Sequence, residues 1–496
     1  MTEDVFYNRV KNEPDVHKKR EILMDLYCKN PKKFYQEYSS HFVEWTPLIY
    51  DPGIAYAIEH NRGEFLINEK ALVLTLQESS DPSAVEMKIR YATERRKIRL
   101  AVITDGEAIL GIGDWGYNGG EIAVGKSIVY AAAAGINPKY ILPIMIDCGT
   151  DNEELLSDHF YGGQHVHRER GKAYEDGIRN ILMTLIKLYG PYIHFEDFGR
   201  EHASSLLKDT RDYYGRCFND DIEGTGIVAL GAILKGMKIK KEKLTDQVYL
   251  CFGAGSAGCG IAKQVYAEMI KEGLSAKEAR SRIYLMDKGG LVYEDDEDIT
   301  PAQKELSVPE KQYKELRGKS LEEVIAVLHP TILTGTSTVH NAFTKKCVEE
   351  MCSYCARPLI LPLSNPTEKI EADPHDLLNW SKGKALIATG IPCGTIDYQG
   401  KKIRIAQANN FLAYPGLGLG VMSSRLASVN DEVLREVSYA LADYPADDEC
   451  LLPDVKDIHS ISDKIAHEVI GYAFKHQMNR EKDPLARMKE ITAKDN

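Results

Sequence analysis

The sequence lacks a hydrophobic run long enough to cross a membrane. No apolar stretch approaches the ~18 residues that a membrane-spanning helix requires, and the start, Met1-Thr2-Glu3-Asp4-Val5, lacks the basic segment and apolar run of a secretory signal. An excess of positive charge is also absent, because 62 lysines and arginines face 74 aspartates and glutamates, giving a net charge of -12. We therefore expect a cytoplasmic protein that binds neither membranes nor nucleic acid.

A disulfide framework is lacking as well. Ten cysteines are scattered singly along the 496 residues, which fits a reducing compartment. Cys352 and Cys355 form a CxxC, but no second pair completes a zinc site and no thioredoxin-type strand precedes it, so we interpret the spacing as chance. The chain is too long for one hydrophobic core, and its length indicates two to four domains.

Four closely spaced carboxylates are the most unusual feature of the sequence. Glu196 and Asp197 end one short apolar run, and Asp220 and Asp221 end another. Carboxylates beside apolar residues are costly unless a cation or hydrogen-bond donors hold them, which makes a divalent metal the first hypothesis. Neighbours on a strand point to opposite faces, so Glu196 and Asp197 would converge only where the chain leaves the strand. Spacing alone leaves solvated acids at two loop mouths as the alternative.

A glycine-rich loop follows the apolar run 247–252 and opens a helical pattern. Its residues are Gly253, Ala254, Gly255, Ser256, Ala257 and Gly258. This is the context of the dinucleotide fingerprint, in which glycines let backbone amides approach a pyrophosphate at a helix N-terminus. Asp287 ends the next predicted strand, where an acid binds the adenosine ribose. An acid there repels a 2′-phosphate and favours NAD, although the adjacent Lys288 leaves NADP open.

A second GxGxxG, at 111–116, carries an acid inside the loop and has no matching ribose acid, so we interpret it as a substrate-side loop. Lys126 follows it among small and apolar residues. A desolvated lysine beside carboxylates can act as a general base, whereas a solvated lysine on a helix face is the alternative. Asn365, Asn409 and Asn410 lie in loops after apolar runs, where amides can bind carboxylate or nicotinamide groups or can simply initiate turns.

Strand-like apolar runs without strict alternation, separated by helical patterns, indicate parallel sheets covered on both faces. The predicted fold class is therefore α/β, with a parallel-sheet domain for substrate and metal, a Rossmann-type NAD-binding domain, and helical segments at both ends. The expected division is an N-terminal helical segment (1–68), a substrate and metal domain (69–219, completed by 410–478), the Rossmann-type domain (220–409) and a C-terminal tail (479–496).

Taken in order, these pieces resemble the malic enzyme superfamily over about residues 44–480. The matching motifs are Ile49-Tyr50-Asp51-Pro52, Asp105-Gly106-Glu107, Gly111-Ile112-Gly113-Asp114, Gly125-Lys126, Phe195-Glu196-Asp197-Phe198, Phe218-Asn219-Asp220-Asp221, the glycine-rich loop, Ser364-Asn365-Pro366-Thr367 and Gln407-Ala408-Asn409-Asn410. The resemblance implies an enzyme that decarboxylates L-malate with NAD and Mn²⁺ or Mg²⁺, assembled as a homodimer or homotetramer.

The resemblance also implies a role for each candidate residue. Glu196, Asp197 and Asp221 would bind the metal. Lys126 would be the general base, Tyr50 the general acid, and Asp220 would orient Lys126. Asn365 and Asn410 would hold malate, Asn409 would line the same pocket, and Asn365 would also contact the cofactor that the glycine-rich loop and Asp287 bind.

One position departs from ordinary malic enzymes. They carry an arginine after Asp-Gly-Glu that clamps a substrate carboxylate, whereas this chain has Ala108. Other local motifs are similar to the malolactic branch, which converts L-malate to L-lactate and CO₂: Gly113-Asp114-Trp115-Gly116, Asp197-Phe198-Gly199-Arg200, Gly224-Thr225-Gly226-Ile227-Val228, Gly335-Thr336-Ser337-Thr338-Val339, and Ala408 in place of glycine.

We hypothesise that Arg200 replaces the missing carboxylate clamp, since a guanidinium can bind a carboxylate bidentately from a new direction. A simple neutralising role beside the acids is the alternative. The malolactic reaction is the leading interpretation, with NAD-dependent oxidative decarboxylation to pyruvate second. A catalytically silent NAD-binding regulator is disfavoured, because the set of Tyr50, Lys126 and the metal-binding acids is intact.

Overall fold

A computed structural model describes residues 5–50, 52–60, 67, 70–94, 96–109, 111–309, 311–446 and 449–493, apart from the side chain of Arg200. Asp51 of the first motif lies outside this range. Among the described residues, no helix is long and apolar enough to cross a membrane. The chain divides into two compact units. The first comprises Met1–Asp220, Tyr414–Asn430 and Ile458–Asn496, and the second Asp221–Ala413 and Asp431–Asp457.

The helices and strands of both units are numbered here in chain order. The helices are α1 (Val5–Asn12), α2 (Val16–Lys29), α3 (Pro31–Ser40), α4 (Phe42–Ile49), α5 (Gly53–Glu59), α6 (Pro82–Thr93), α7 (Gly120–Ala134), α8 (Glu153–Ser157), α9 (Gly171–Tyr189), α10 (Arg200–Tyr213), α11 (Thr225–Lys240), α12 (Ser256–Lys271), α13 (Ala276–Arg280), α14 (Pro301–Glu305), α15 (Leu321–Leu328), α16 (Lys345–Tyr354), α17 (Pro374–Trp380), α18 (Tyr414–Ser424), α19 (Asp431–Ala442), α20 (Ile458–Lys475) and α21 (Pro484–Thr492). The strands are β1 (Leu72–Thr75), β2 (Leu100–Thr104), β3 (Ile141–Asp147), β4 (Tyr192–Glu196), β5 (Cys217–Asn219), β6 (Tyr249–Phe252), β7 (Ile283–Asp287), β8 (Gly290–Leu291), β9 (Ile332–Gly335), β10 (Leu359–Pro362), β11 (Leu386–Thr389), β12 (Thr395–Tyr398), β13 (Lys401–Arg404) and β14 (Ala406–Gln407).

The first unit is built on a five-stranded sheet of order β1-β3-β2-β4-β5, in which every pairing is parallel. The central strands β2 and β4 are buried along their whole length, which explains their unbroken apolar sequence. Helix α7 is also buried at every position, and its alanines and glycines allow other elements to pack closely around it. Residues 484–492 of the expected tail form α21, which is anchored by the buried Ile491.

The second unit contains a seven-stranded sheet of order β14-β11-β10-β9-β6-β7-β8. All pairings are parallel except β7 with β8. Strand order therefore reverses at β6 and β9, as in the doubly wound dinucleotide-binding fold, where ligands bind outside the carboxyl ends of the strands at that point. A separate hairpin, β12-β13, completes the unit. The predicted α/β class with a Rossmann-type sheet is confirmed.

Candidate active site

The acidic residues of the first unit gather at one edge of its sheet. Strands β2 and β4 pair in register at Thr104 and Glu196, and β4 and β5 pair at Phe195 and Asn219. Because parallel strands end at the same edge, the residues that follow them are brought together there. Asp220, which follows β5, begins a short π-helical turn over Asp220–Gly224, a form that occurs frequently at functional sites.

Backbone conformation explains how Glu196 and Asp197 can act together. Asp197 has φ +55°, in the left-handed region that non-glycine residues rarely adopt. This sharp turn brings carboxylate oxygens of the two neighbours within 4.8 Å of each other, although adjacent side chains on a strand point to opposite faces. Both residues are 3% exposed. Such strain persists where the surrounding structure enforces it, and Ala108 N–H helps by donating to the Asp197 carbonyl at 3.0 Å.

Lys126 lies at the centre of this acidic edge and is 1% exposed, so it is not a solvated lysine on a helix face. Its Nζ donates to Asp220 Oδ2 and lies 3.0 Å from Glu196 Oε1. The ammonium also sits over two aromatic rings, 5.0 Å from the Tyr50 centroid and 4.6 Å from the Tyr414 centroid. The structure thus brings together Tyr50, Lys126, Glu196 and Asp220 within the first unit.

Burial and charge pull the pKa of these groups in opposite directions. Burial lowers the pKa of Lys126, but the carboxylates of Asp220 and Glu196 outweigh it and hold that pKa well above its ordinary value. Burial raises the pKa of Glu196 to about 8 despite the neighbouring ammonium. Burial also raises the pKa of the Tyr50 phenol well above its usual value, so Tyr50 carries its proton and can donate it.

His194 belongs to this cluster, although sequence reasoning did not single it out. Its Nε2 lies 2.7 Å from Glu196 Oε2, and its Nδ1 lies 2.9 Å from the Tyr130 hydroxyl. Burial lowers the pKa of His194 to about 3, so the ring is neutral and, with Nε2 protonated, donates to Glu196 while accepting from Tyr130. His194 and Glu196 are two residues apart on one strand, so their side chains lie on the same face. That spacing could have indicated from the sequence that the two side chains are neighbours.

The loop after β2 is held by a buried arginine that the sequence analysis also missed. Arg168 Nε and Nη2 contact the Asp114 carboxylate at 2.8 and 2.7 Å, and Nη2 reaches the Asp105 carbonyl at 2.9 Å. The nearby Arg170 pairs with Glu107 and with Asp151. The acid in the second GxGxxG therefore binds an arginine in the first unit, which favours the substrate-side interpretation of that loop over a cofactor cradle.

The dinucleotide loop lies at the reversal point of the second unit's sheet. Gly253 has φ +104°, and a Cβ there would lie 2.4 Å from the Ser337 backbone nitrogen, so no other residue fits. A Cβ on Gly258 would lie 2.2 Å from the Gly253 carbonyl oxygen. Around Gly255, by contrast, a Cβ would meet nothing within 4 Å, which leaves room for a ligand to approach the start of α12. These glycines form a cradle that fits a pyrophosphate.

Asp287 ends β7 beside this loop. Gln303 joins the two, because its Nε2 donates to Asp287 Oδ2 and to the Ala254 carbonyl, both at 2.9 Å. Gln303 was not predicted from the sequence, since it lies in a short helix, α14, that carries no motif. Its contacts tie the acid to the glycine-rich loop.

Buried Glu371 organises the loops after β9 and β10. Its carboxylate accepts from Ser337 N–H and Oγ at 2.7 and 2.9 Å, and from Ser364 Oγ and N–H at 2.5 and 3.3 Å. Ser364 precedes Asn365, whose peptide bond with Pro366 is cis. Glu371 thus connects the loop that packs on Gly253 with the loop that carries Asn365.

The two predicted asparagines after β14 make local contacts within the second unit. Asn410 Nδ2 donates to Thr225 Oγ1 at 3.3 Å, while Asn409 Oδ1 accepts from Phe411 N–H at 3.1 Å and so caps a short 3₁₀ turn. Asp221 follows Asp220 directly and begins the second unit. Arg200 begins helix α10, and its side chain lies outside the part of the chain that the structure describes.

Comparison with known protein families covers nearly the whole chain. Residues 27–211 match the malic enzyme N-terminal domain, and residues 222–474 match the malic enzyme NAD binding domain. The chain is 42% identical to the malolactic enzyme of Lactococcus lactis over 482 residues, which cover 96% of this chain and 88% of that protein. It is 38% identical to NAD-dependent malic enzyme 3 of Bacillus subtilis over 480 residues, covering 95% and 84%.

Solved structures show the same fold. The crystal structure of Entamoeba histolytica malic enzyme aligns with a TM-score of 0.61 at 18% identity, covering 96% of this chain and 86% of that one. NAD-dependent malic enzyme from Thermotoga maritima aligns with a TM-score of 0.56 at 21% identity, covering 86% and 92%. The predicted NAD-binding domain is confirmed by the match over 222–474. The chain belongs to the malic enzyme family and is a malate-decarboxylating enzyme.

Proposed function

We propose that the enzyme catalyses the malolactic reaction, in which L-malate becomes L-lactate and CO₂ without net oxidation. The observation that carries this choice is Ala108, the missing carboxylate clamp of ordinary malic enzymes, together with the malolactic-like motifs around it. Relatives named malolactic enzyme, at 40 to 42% identity, support the same choice. Oxidative decarboxylation to pyruvate with release of NADH is the second candidate, because a relative named NAD-dependent malic enzyme reaches 40%.

The buried lysine supports the first chemical step. Two carboxylates hold the pKa of Lys126 high, so Lys126 would act as a base only after Glu196 has turned to the metal, which lowers that pKa. Its neutral amine would then accept the proton of the C2 hydroxyl of malate while the C2 hydride leaves for NAD. Asp220 would keep the Lys126 amine in place, since its carboxylate contacts Nζ directly. Glu196 Oε1 also lies 3.0 Å from the same amine. Engagement of Glu196 by a metal would leave Asp220 as the lysine's main counter-charge.

A divalent cation fits the donors at this edge. Glu196 and Asp197 present hard carboxylate oxygens from a buried turn, and Asp221 is joined directly to Asp220, which contacts Lys126. Carboxylate oxygens are the ligands that Mg²⁺ and Mn²⁺ prefer. We infer that Glu196, Asp197 and Asp221 hold the ion, with His194 orienting Glu196. When bound, the ion would polarise the C2 carbonyl so that CO₂ can leave.

Tyr50 would complete the reaction as a proton donor. Its ring lies against the Lys126 ammonium, and its phenol retains its proton at neutral pH. Tyr50 would protonate C3 of the enolpyruvate left by decarboxylation, which gives pyruvate. In the malolactic reaction Lys126 would then return its proton to the C2 oxygen of pyruvate as that carbon takes the hydride back from NADH, which gives lactate. Asn365, Asn409 and Asn410 would hold the substrate carboxylates.

An assay with malate, NAD and Mn²⁺ separates the candidates. The proposal expects lactate to form in step with malate loss, while absorbance from free NADH stays near zero. Stoichiometric pyruvate and NADH would instead establish the oxidative reaction. Omitting Mn²⁺ serves as the control, and it should abolish turnover in either case because the ion stabilises the enolate.

A further inference from the structure

The first unit contains a second concave site, at the edge of the sheet opposite the acidic residues. Arg99 precedes β2, Tyr192 begins β4 and Arg216 precedes β5, so this cavity lies where the strands begin. Its volume is about 330 Å³. Because β4 is five residues long, its first and last Cα atoms are about 13 Å apart, which separates the cavity from Glu196.

The lining of this cavity is strongly basic in a protein whose net charge is -12. We call it the cationic cavity, defined by its charged lining residues Lys97, Arg99, Arg216, Arg425 and Arg487. Two acids offset part of the charge, since Glu490 contacts Arg99 at 2.5 Å and Glu481 contacts Arg487 at 3.4 Å. Across the described ranges, no carboxylate lies within 4 Å of the cationic groups of the other three.

Arg216 and Arg487 are held in place by further contacts that do not neutralise their charge. Arg216 lies over the Tyr214 ring at 4.9 Å, and its Nη2 would be 3.2 Å from a Cβ on Gly190. Arg487 Nε donates to the Met422 carbonyl at 2.9 Å. Among described residues, the buried Nε atoms of Arg99 and Arg216 have no hydrogen-bond acceptor. These two guanidinium groups therefore keep hydrogen-bonding capacity that the described part of the protein does not satisfy.

Mutual repulsion adds to burial in lowering the pKa of Arg216 and Arg487. Burial lowers the pKa of Arg216, and the nearby Arg480 and Arg425 lower it further. Burial likewise lowers the pKa of Arg487, with Arg99 and Arg425 adding to the effect. Cations gathered in this way are destabilising unless something negative binds among them, since like charges at close range repel.

We propose that the cationic cavity binds a small oxyanion carrying at least two negative charges, through Arg216, Arg425 and Arg487. Guanidinium groups recognise phosphate and carboxylate oxygens by paired hydrogen bonds, and here they approach from a strand start, the end of α18 and α21. The volume suits a small metabolite and excludes a polymer. The two sources of such an anion are a phosphorylated compound and a polycarboxylate. This proposal does not depend on which product the enzyme releases.

Calorimetric titration of the full chain tests the site, with inorganic phosphate as one probe and succinate as the other. Arg425→Gln removes an exposed cation that makes no ion pair in the described structure, so it should fold normally. We expect saturable binding by the wild type that is about tenfold weaker in Arg425→Gln and in Arg216→Gln. Arg216→Lys, which keeps the charge, should retain part of the affinity. Arg90→Gln, on the exposed face of α6, is the matched control and should bind like the wild type.

The two probes distinguish the source of the ligand. Stronger binding of phosphate assigns the cavity to a phosphorylated compound, and stronger binding of succinate assigns it to a polycarboxylate. Succinate that binds at the active site can be distinguished from succinate that binds in the cationic cavity, because only the cavity contains Arg425. Its affinity for the active site should therefore be the same in Arg425→Gln and the wild type. The proposal is wrong if neither probe binds, or if both bind Arg425→Gln and Arg216→Lys as tightly as the wild type.

Discussion

Lys126 acquires its chemistry from residues that the chain brings to it from two different strand ends. Glu196 closes β4 and Asp220 follows β5, and both contact the same amine. With only one of the two acids, the buried ammonium charge of Lys126 would be poorly compensated, which would cost roughly several kcal/mol of stability. The lysine is therefore held in place whether or not substrate is present, which is the preorganisation that proton transfer requires.

Removing the Lys126 amine should abolish the proton transfer but not cofactor binding. We expect Lys126→Ala to lower kcat by about 10²- to 10⁴-fold, the usual contribution of a positioned acid or base. Added methylammonium should restore part of kcat by occupying the space beside Asp220. NADH affinity, measured by fluorescence, serves as the control and should remain within twofold of the wild type. Absence of rescue together with loss of NADH binding would indicate a structural role instead.

Arg200 is the proposed replacement for the clamp missing at Ala108. Arg200→Ala and Arg200→Lys should raise the KM for malate by about ten- to a hundredfold, because a charge-assisted hydrogen bond to a carboxylate contributes about 1.5–3 kcal/mol. Lys208→Ala, an exposed cation on the same helix α10, is the matched control. An unchanged KM in both Arg200 variants would contradict the clamp and support simple charge neutralisation.

Glu371 is a positioning residue, since it accepts from the backbone and hydroxyl donors of both Ser337 and Ser364. Glu371→Gln replaces one acceptor oxygen by a donor group and opposes at least one of these bonds. We expect the dissociation constant of NADH to rise about tenfold, as measured by fluorescence titration. Glu368→Gln, an exposed acid in the same segment, should bind NADH normally. Equal affinities for the two variants would contradict this role.

At the scale of elements, the turn from β6 to α12 shows how two glycines can serve different ends. Gly253 is required by its positive φ and by the backbone of Ser337 packed against it. Gly255 has φ -75°, which any residue adopts, and its free side faces open space. The first glycine therefore supports the fold, while the second leaves open space in which a cofactor is predicted to bind.

These roles separate in two matched substitutions. Gly253→Ala should lower the melting temperature by several degrees, because a Cβ 2.4 Å from a backbone nitrogen cannot be accommodated without moving the chain. Gly255→Ala should leave the melting temperature of the apoprotein unchanged but weaken NADH binding about tenfold or more. Thermal unfolding with and without NADH measures both effects. Similar melting temperatures for the two apoproteins would contradict this division.

Much at this scale could be predicted from the sequence. The dinucleotide loop, the strand before it and Asp287 follow from local pattern, because the fingerprint is contiguous and its chemistry is backbone chemistry. Gln303, Glu371 and Arg168 could not be predicted, since each acts through contacts with residues far away in the chain. The helix α21 was also missed, because only two of its residues, Pro484 and Ile491, are buried, and the tail around them is rich in charged residues.

At the scale of the whole molecule, both units follow one rule, in which the candidate functional residues lie at the carboxyl ends of parallel strands. The sequence allowed the acids at 196–197 and 220–221 to be recognised as a metal-site candidate, and this site stays a prediction. The left-handed turn at Asp197 that lets two neighbours converge was outside what a pattern could predict. That turn depends on tertiary packing, and no local propensity favours it strongly.

The fate of the malate C2 hydrogen tests the central claim most directly. The enzyme would be supplied with L-malate deuterated at C2, NAD and Mn²⁺, in the presence of excess unlabelled NADH. A malolactic enzyme keeps the cofactor in place between the two half-reactions, so deuterium should reappear at C2 of nearly all the lactate. Deuterium found in the free reduced nicotinamide, with pyruvate or unlabelled lactate as product, would contradict the malolactic account.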